Sequence, residues 1–298
     1  MSSLTGLSAF PITPTDAEGR IDASGLSRLI HRLAAANVDS IGLLGSTGIY
    51  MYLSREERRA AIEVAVEHSS ATPLLVGIGA MRTDEALRLA QDAKAIGAAA
   101  GLISAVSYAP LSQDEVFEHI SAVARESQLP LCIYDNPGTT HFAFTPDLVK
   151  RLSHLPGIIG IKNPPPAGPL PNHLSAQRIA TPKGFVIGYS GDWCCAEAMI
   201  AGADTWFSVL GGIFPKTCLA LTRAAQAGET AGAKRLDAAL EPVWGLFRKY
   251  TSLRVVYEIA RQLGLSTAEP PRPILSVCED AKRDIATTLA SLPQGMTE

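Results

Sequence analysis

The chain has 298 residues, with 26 Lys+Arg against 29 Asp+Glu, a formal net charge of -3, 47% hydrophobic residues and only 18% charged ones. So much apolar side chain excludes disorder, and the slightly acidic balance argues against a nucleic-acid or membrane-surface partner. No apolar run approaches the ~20 residues of a membrane span, and the five scattered cysteines and six histidines form no CxxC, HxH or HxxxH pair. We therefore expect reduced thiols, no metal, no secretory leader and a cytoplasmic location.

Short, continuous apolar runs recur at 7–12, 38–44, 73–78, 100–105, 130–134, 157–162, 184–189 and 204–210. Their mean spacing of about 28 residues matches a strand–helix–strand unit, and their unbroken hydrophobicity predicts strands covered on both faces. Helical patterns fill the intervals. Over 23–36, Leu26, Leu29, Ile30 and Leu33 fall on one stripe. Ser54, followed by Glu56 and Glu57, predicts a capped helix start for 54–68, and Thr83-Asp84-Glu85 and Ser112-Gln113-Asp114-Glu115 repeat the signal. An open doubly wound sheet would carry a glycine-rich dinucleotide turn after a strand, but Gly77-Ile78-Gly79-Ala80-Met81-Arg82 lacks the third glycine.

The prediction is an α/β chain of two parts. Residues 1–226 form a (β/α)8 TIM barrel, and 227–298 a C-terminal helical extension packed on it. Helices are expected over 231–249, 251–263 and 274–292, broken by Glu269-Pro270-Pro271-Arg272-Pro273.

Barrel enzymes place their chemistry at the C-terminal ends of the strands. Those positions hold Ser46 and Thr47 after the second run, Tyr108 after the fourth, Tyr134 ending the fifth, Lys162 ending the sixth, and Ser190-Gly191-Asp192 after the seventh. Lys162 is the most informative. A lysine amine turned into a barrel mouth loses water, which disfavours an ammonium charge, and a neutral amine can form an imine with a carbonyl carbon. Tyr134 reads as a proton carrier beside that imine, and Gly45-Ser46-Thr47-Gly48 as a turn that offers N–H groups and hydroxyls to a carboxylate. Gly188-Tyr189-Ser190-Gly191-Asp192 lacks the last glycine of a serine-hydrolase elbow. Glycines 188, 191, 211 and 212 keep phosphosugar chemistry as a minor alternative.

In this order and spacing the motifs resemble the dihydrodipicolinate synthase / N-acetylneuraminate lyase family of class I, Schiff-base aldolases, over almost the whole chain. Ala9-Phe10-Pro11-Ile12-Thr13-Pro14 resembles the family's opening strand and turn. Gly45-Ser46-Thr47-Gly48 with Leu53-Ser54-Arg55-Glu56-Glu57-Arg58 resembles its second-strand signature.

The resemblance implies Lys162 as the imine lysine and Tyr134, Ser46 and Tyr108 as a proton relay. It also implies Gly45, Ser46, Thr47 and Gly191 as substrate contacts. The substrate would be pyruvate or another 2-oxo acid, with an aldehyde as second partner and no cofactor. Tyr108 would come from a neighbouring subunit of a homodimer or homotetramer. Two positions depart from the family pattern: Ile49 stands where the family has glutamate, and Thr139 where dihydrodipicolinate synthases carry an arginine for the second substrate. That loss argues against aspartate semialdehyde as acceptor. A 2-keto-3-deoxy sugar acid dehydratase or aldolase, or a catalytically silent barrel that binds a 2-oxo acid, are the alternatives.

Overall fold

The computed structural model describes residues 4–16 and 18–297. Eight parallel strands close into a barrel in chain order: β1 (Gly6–Ala9), β2 (Ser40–Leu43), β3 (Leu74–Gly77), β4 (Ala100–Ser104), β5 (Leu131–Tyr134), β6 (Ile158–Asn163), β7 (Val186–Tyr189) and β8 (Thr205–Ser208). The strand β1 pairs with both β2 and β8, so no edge remains open. Each strand lies within its predicted run, apart from a residue or so at one end.

Around them lie α1 (Ala23–Ala35), α2 (Arg55–His68), α3 (Thr83–Ile96), α4 (Gln113–Ser127), the single turn α5 (Pro137–Thr140), α6 (Pro146–Ser153), α7 (Leu170–Ala180), α8 (Asp192–Ile200) and α9 (Pro215–Gln226). The start signals act as the sequence indicates: Ser54 and Ser112 each close a capping box, with Glu57 and Glu115. The cap of α3 is instead Arg82, one residue before the predicted start; its side chain makes no capping hydrogen bond and donates to the Asp84 carboxylate.

Period-two alternation sorts the strand residues. Outward side chains such as Ile41, Val76, Ile103 and Ile133 meet the helices in one large core. Inward ones, among them Leu75, Ala100, Leu102, Cys132, Val186 and Phe207, fill the barrel with a smaller core of their own. The barrel is therefore packed, and only its mouth is available for chemistry.

The remaining helices are α10 (Thr230–Tyr250), α11 (Ser252–Gln262) and α12 (Glu279–Ser291). The last begins later than the predicted 274, since the proline-rich segment continues as irregular chain to Cys278, which caps α12. Val243, Trp244, Phe247, Val255 and Ile259 join the same outer core that covers the barrel, and α10 packs on α8 and α9. The Thr217 hydroxyl donates to the Met296 carbonyl at 2.9 Å, which ties the chain's end to α9. Among the described residues no helix is long and apolar enough to cross a membrane.

Candidate active site

Strand register builds the centre. It runs Ser104↔Tyr134, Tyr134↔Lys162 and Lys162↔Gly188, so the inward tyrosine and lysine are direct neighbours at the strand ends. Lys162 is only 4% exposed. Its Nζ lies 3.9 Å from the Phe10 ring centroid, 4.4 Å from that of Tyr134 and 5.8 Å from that of Phe207. Among the described residues it has no hydrogen-bond or ion-pair partner, so the amine is shielded from water yet free to meet a ligand.

Two glycine positions make this aromatic seat possible. A Cβ on Gly42 would fall 2.2 to 2.4 Å from Phe10 ring atoms, and one on Gly45 would lie 2.7 Å from the same ring. Only a bare backbone lets Phe10 lie across the second strand and its loop, beneath the amine.

The Tyr134 hydroxyl is 3.1 Å from Ser46 Oγ, and Asn136 Nδ2 donates to it at 2.8 Å. Asn136 Nδ2 also donates to Thr139 Oγ1 at 3.0 Å, so the amide spends its hydrogens on a tyrosine and a threonine. With Asn136 donating to it, Tyr134 can turn its own proton towards Ser46 or a bound group. Gly191 has φ +78, and a Cβ there would meet Pro165 Cγ at 2.4 Å, so this turn requires glycine. It leads into Asp192, whose carboxylate accepts from Trp206 Nε1 (2.9 Å), the Leu210 N–H (2.7 Å) and the Val209 N–H (3.3 Å). Burial pushes the Asp192 carboxyl above its ordinary range, and these donors offset part of that rise. Asp192 thus ties the loop after β7 to the end of β8.

Ser46, Thr47, Tyr134, Asn136, Thr139, Lys162 and Gly191 line one cavity of about 530 Å³. Its opposing lining comes from outside the barrel proper: Phe247, Thr251, Ser252, Leu253, Arg254 and Ile274. Ile49 adds an apolar wall at the position where the family has a carboxylate. Thr139, which stands where dihydrodipicolinate synthases carry an arginine, accepts from Asn136.

The structure therefore brings Lys162, Tyr134, Ser46, Thr47 and Gly191 together. Gly45 is placed beneath them, against Phe10. Tyr108 does not line this cavity in a single copy of the chain; it sits on the loop after β4, 99% exposed. Sequence reasoning missed Phe10, Phe207, Asn136 and the α10–α11 residues. Phe10 had a signal, since it immediately follows β1, but the apolar run 7–12 hides where pairing stops.

Residues 3–292 match the model of the dihydrodipicolinate synthetase family. The chain belongs to that family. It is 36% identical over 231 residues to the 4-hydroxy-tetrahydrodipicolinate synthase of Methylococcus capsulatus, covering 77% of this chain and 78% of that one. Among solved structures, it matches the dihydrodipicolinate synthase from Agrobacterium tumefaciens with a TM-score of 0.96 and 51% identity, over 98% and 99% of the two chains. It also matches the chloride-inhibited dihydrodipicolinate synthase from Acinetobacter baumannii, solved with pyruvate, at a TM-score of 0.90 and 26% identity over 97% and 99%. The family member described here is thus an enzyme, a lyase of the class I, Schiff-base aldolase type.

Proposed function

We propose that this lyase acts on pyruvate or a related 2-oxo acid, with Lys162 as the imine-forming residue. The observation that carries the reading is the buried, unpaired Nζ beside the Tyr134–Ser46 hydrogen bond. The neutral amine adds to the 2-oxo carbon. Tyr134 protonates the resulting hydroxyl, which leaves as water and yields the imine. The substrate carboxylate rests on the turn at Ser46 and Thr47, with Gly45 and Gly191 shaping the bed.

The imine then draws electrons from the adjacent C–H bond. A proton leaves through Tyr134 and Ser46, and the enamine attacks an aldehyde carbon; run backwards, the same steps cleave an aldol. The imine supplies the electron sink, so these steps need no cofactor. Tyr108 enters the relay only if a second copy of the chain carries it to the mouth, which is the basis for proposing a homodimer or homotetramer. In this reading the 227–298 extension, packed on the 1–226 barrel, furnishes one wall of the site.

Pyruvate release or consumption should be followed across a panel of aldehydes and 3-deoxy-2-oxo sugar acids. Turnover of at least one pair, absent in Lys162→Ala, is the expected result. Equal turnover by Lys162→Ala would refute the assignment.

A further inference from the structure

We infer that Arg254 recognises a second carboxylate, so that the preferred substrate carries an acid group remote from its reacting carbonyl. This rests on the reading of Lys162 as the imine lysine and names the substrate class of that same site.

Among the described residues, three charged side chains line the cavity: Lys162, Asp192 and Arg254. Lys162 is assigned to the carbonyl. Asp192 is held by Trp206, Val209 and Leu210 and is fully committed to the fold. Arg254 is not committed in this way. Its Nη1 donates to Thr251 Oγ1 at 3.0 Å, and among the described residues it meets no carboxylate. The contrast lies on its own helix, where Arg261 grips both oxygens of Glu258 through Nε at 2.9 Å and through Nη2. A half-buried guanidinium with most of its donors unspent, lining the cavity, presents the planar fork that matches a carboxylate.

Two other polar lining groups are already engaged. Thr139 accepts from Asn136, and the Ser190 hydroxyl donates to the Asn163 carbonyl at 3.0 Å. The same cavity also presents Ile49, Val209, Phe247 and Ile274, an apolar lining suited to methylene groups. Thr251 holds the guanidinium from a backbone at φ +67, an unusual conformation for a β-branched residue, at the joint between α10 and α11. The positive end of α11 adds a field of the same sign. A 2-oxo acid with a distal carboxylate offers its carbonyl to Lys162 and a partner to the unspent guanidinium of Arg254.

Imine capture tests this without requiring turnover. The enzyme is incubated with 2-oxoglutarate or 2-oxoadipate, and in parallel with the uncharged-tail acids 2-oxopentanoate and 2-oxohexanoate, then reduced with borohydride. Intact mass gives the concentration of each acid that half-saturates the lysine. Wild-type enzyme should capture at least one dicarboxylate at about 10- to 100-fold lower concentration than its uncharged counterpart. Arg254→Ala and Arg254→Gln should bring that ratio close to one, and Arg254→Lys should leave part of it. Because the readout is a ratio, a general loss of imine formation does not imitate the effect. Wild-type capture of both kinds of acid at equal concentrations, or a ratio that survives in Arg254→Ala, would overturn the assignment while leaving Lys162 in place. Capture of no acid at all would instead remove the imine reading, and this inference with it.

Discussion

The two sides of the cavity are built on different principles. The floor consists of strand ends and the turns that follow them: Lys162 and Tyr134 in direct register, Phe10 and Phe207 packed against the amine, Ser46 and Asn136 on the tyrosine hydroxyl. Each position is set by barrel closure, with side chains in contact on every side. The opposing wall is the joint between α10 and α11, where Thr251 and Arg254 are exposed or half-buried and hold one hydrogen bond between them. A rigid floor suits a reaction whose groups must meet within tenths of an ångström. A wall outside the barrel can change its charged group without disturbing that geometry. On the proposed reading, chemistry and selectivity fall to separate parts of the chain.

The largest expected effect comes from the floor. Tyr134→Phe keeps the ring beside Nζ but removes the hydroxyl proposed to carry protons, so turnover should fall by about 10²- to 10⁴-fold. Folding midpoints in urea should move little, because Ser46 and Asn136 lie at the cavity and can bond to water. A loss of turnover below about threefold would break the contrast between floor and wall.

Gly42→Ala probes the packing under the amine. The new Cβ cannot coexist with Phe10, and displacing that ring should cost about 1–3 kcal/mol of stability by chemical denaturation. Imine capture should slow with it. Unchanged stability would show that Phe10 is not held as described.

A smaller, pH-dependent effect is expected directly behind the floor. Asp135 follows Tyr134 but turns outward, into a small cavity shared with His173 and Gln177. Burial pushes its carboxyl up to about 6, only partly offset by the Phe144 N–H at 3.5 Å. Its folded value lies above the ordinary one, so its contribution to stability is fully present below about pH 4 and is lost as pH rises through about 6. Asp135→Asn should therefore stabilise the protein by about 1–2 kcal/mol at pH 8 and have little effect at pH 4. An equal effect at both values would contradict the burial argument.

How much of this could be read from the sequence follows the same division. The strand runs, the capping boxes at Ser54 and Ser112, and Lys162 and Tyr134 were legible because local periodicity and strand-end position determine them. The ring of Phe10 was less so, because hydrophobicity continues to Ile12 past the end of pairing at Ala9. Asn136 reaches Tyr134 only through the fold of the 135–140 turn. Arg254 lies about ninety residues beyond Lys162 in the chain, and no local pattern marks a cation whose neighbours are chosen by helix packing. Nor does anything in one copy of the chain bring Tyr108 to the cavity.

The central claim is that the lysine at the end of β6 forms the covalent bond to substrate. Borohydride reduction in the presence of pyruvate, followed by peptide mapping, tests it most directly. The account predicts a single reduced adduct on the peptide containing Lys162, and none in Lys162→Ala. An adduct on another lysine, or none on the wild-type chain with pyruvate or any other 2-oxo acid, would contradict it.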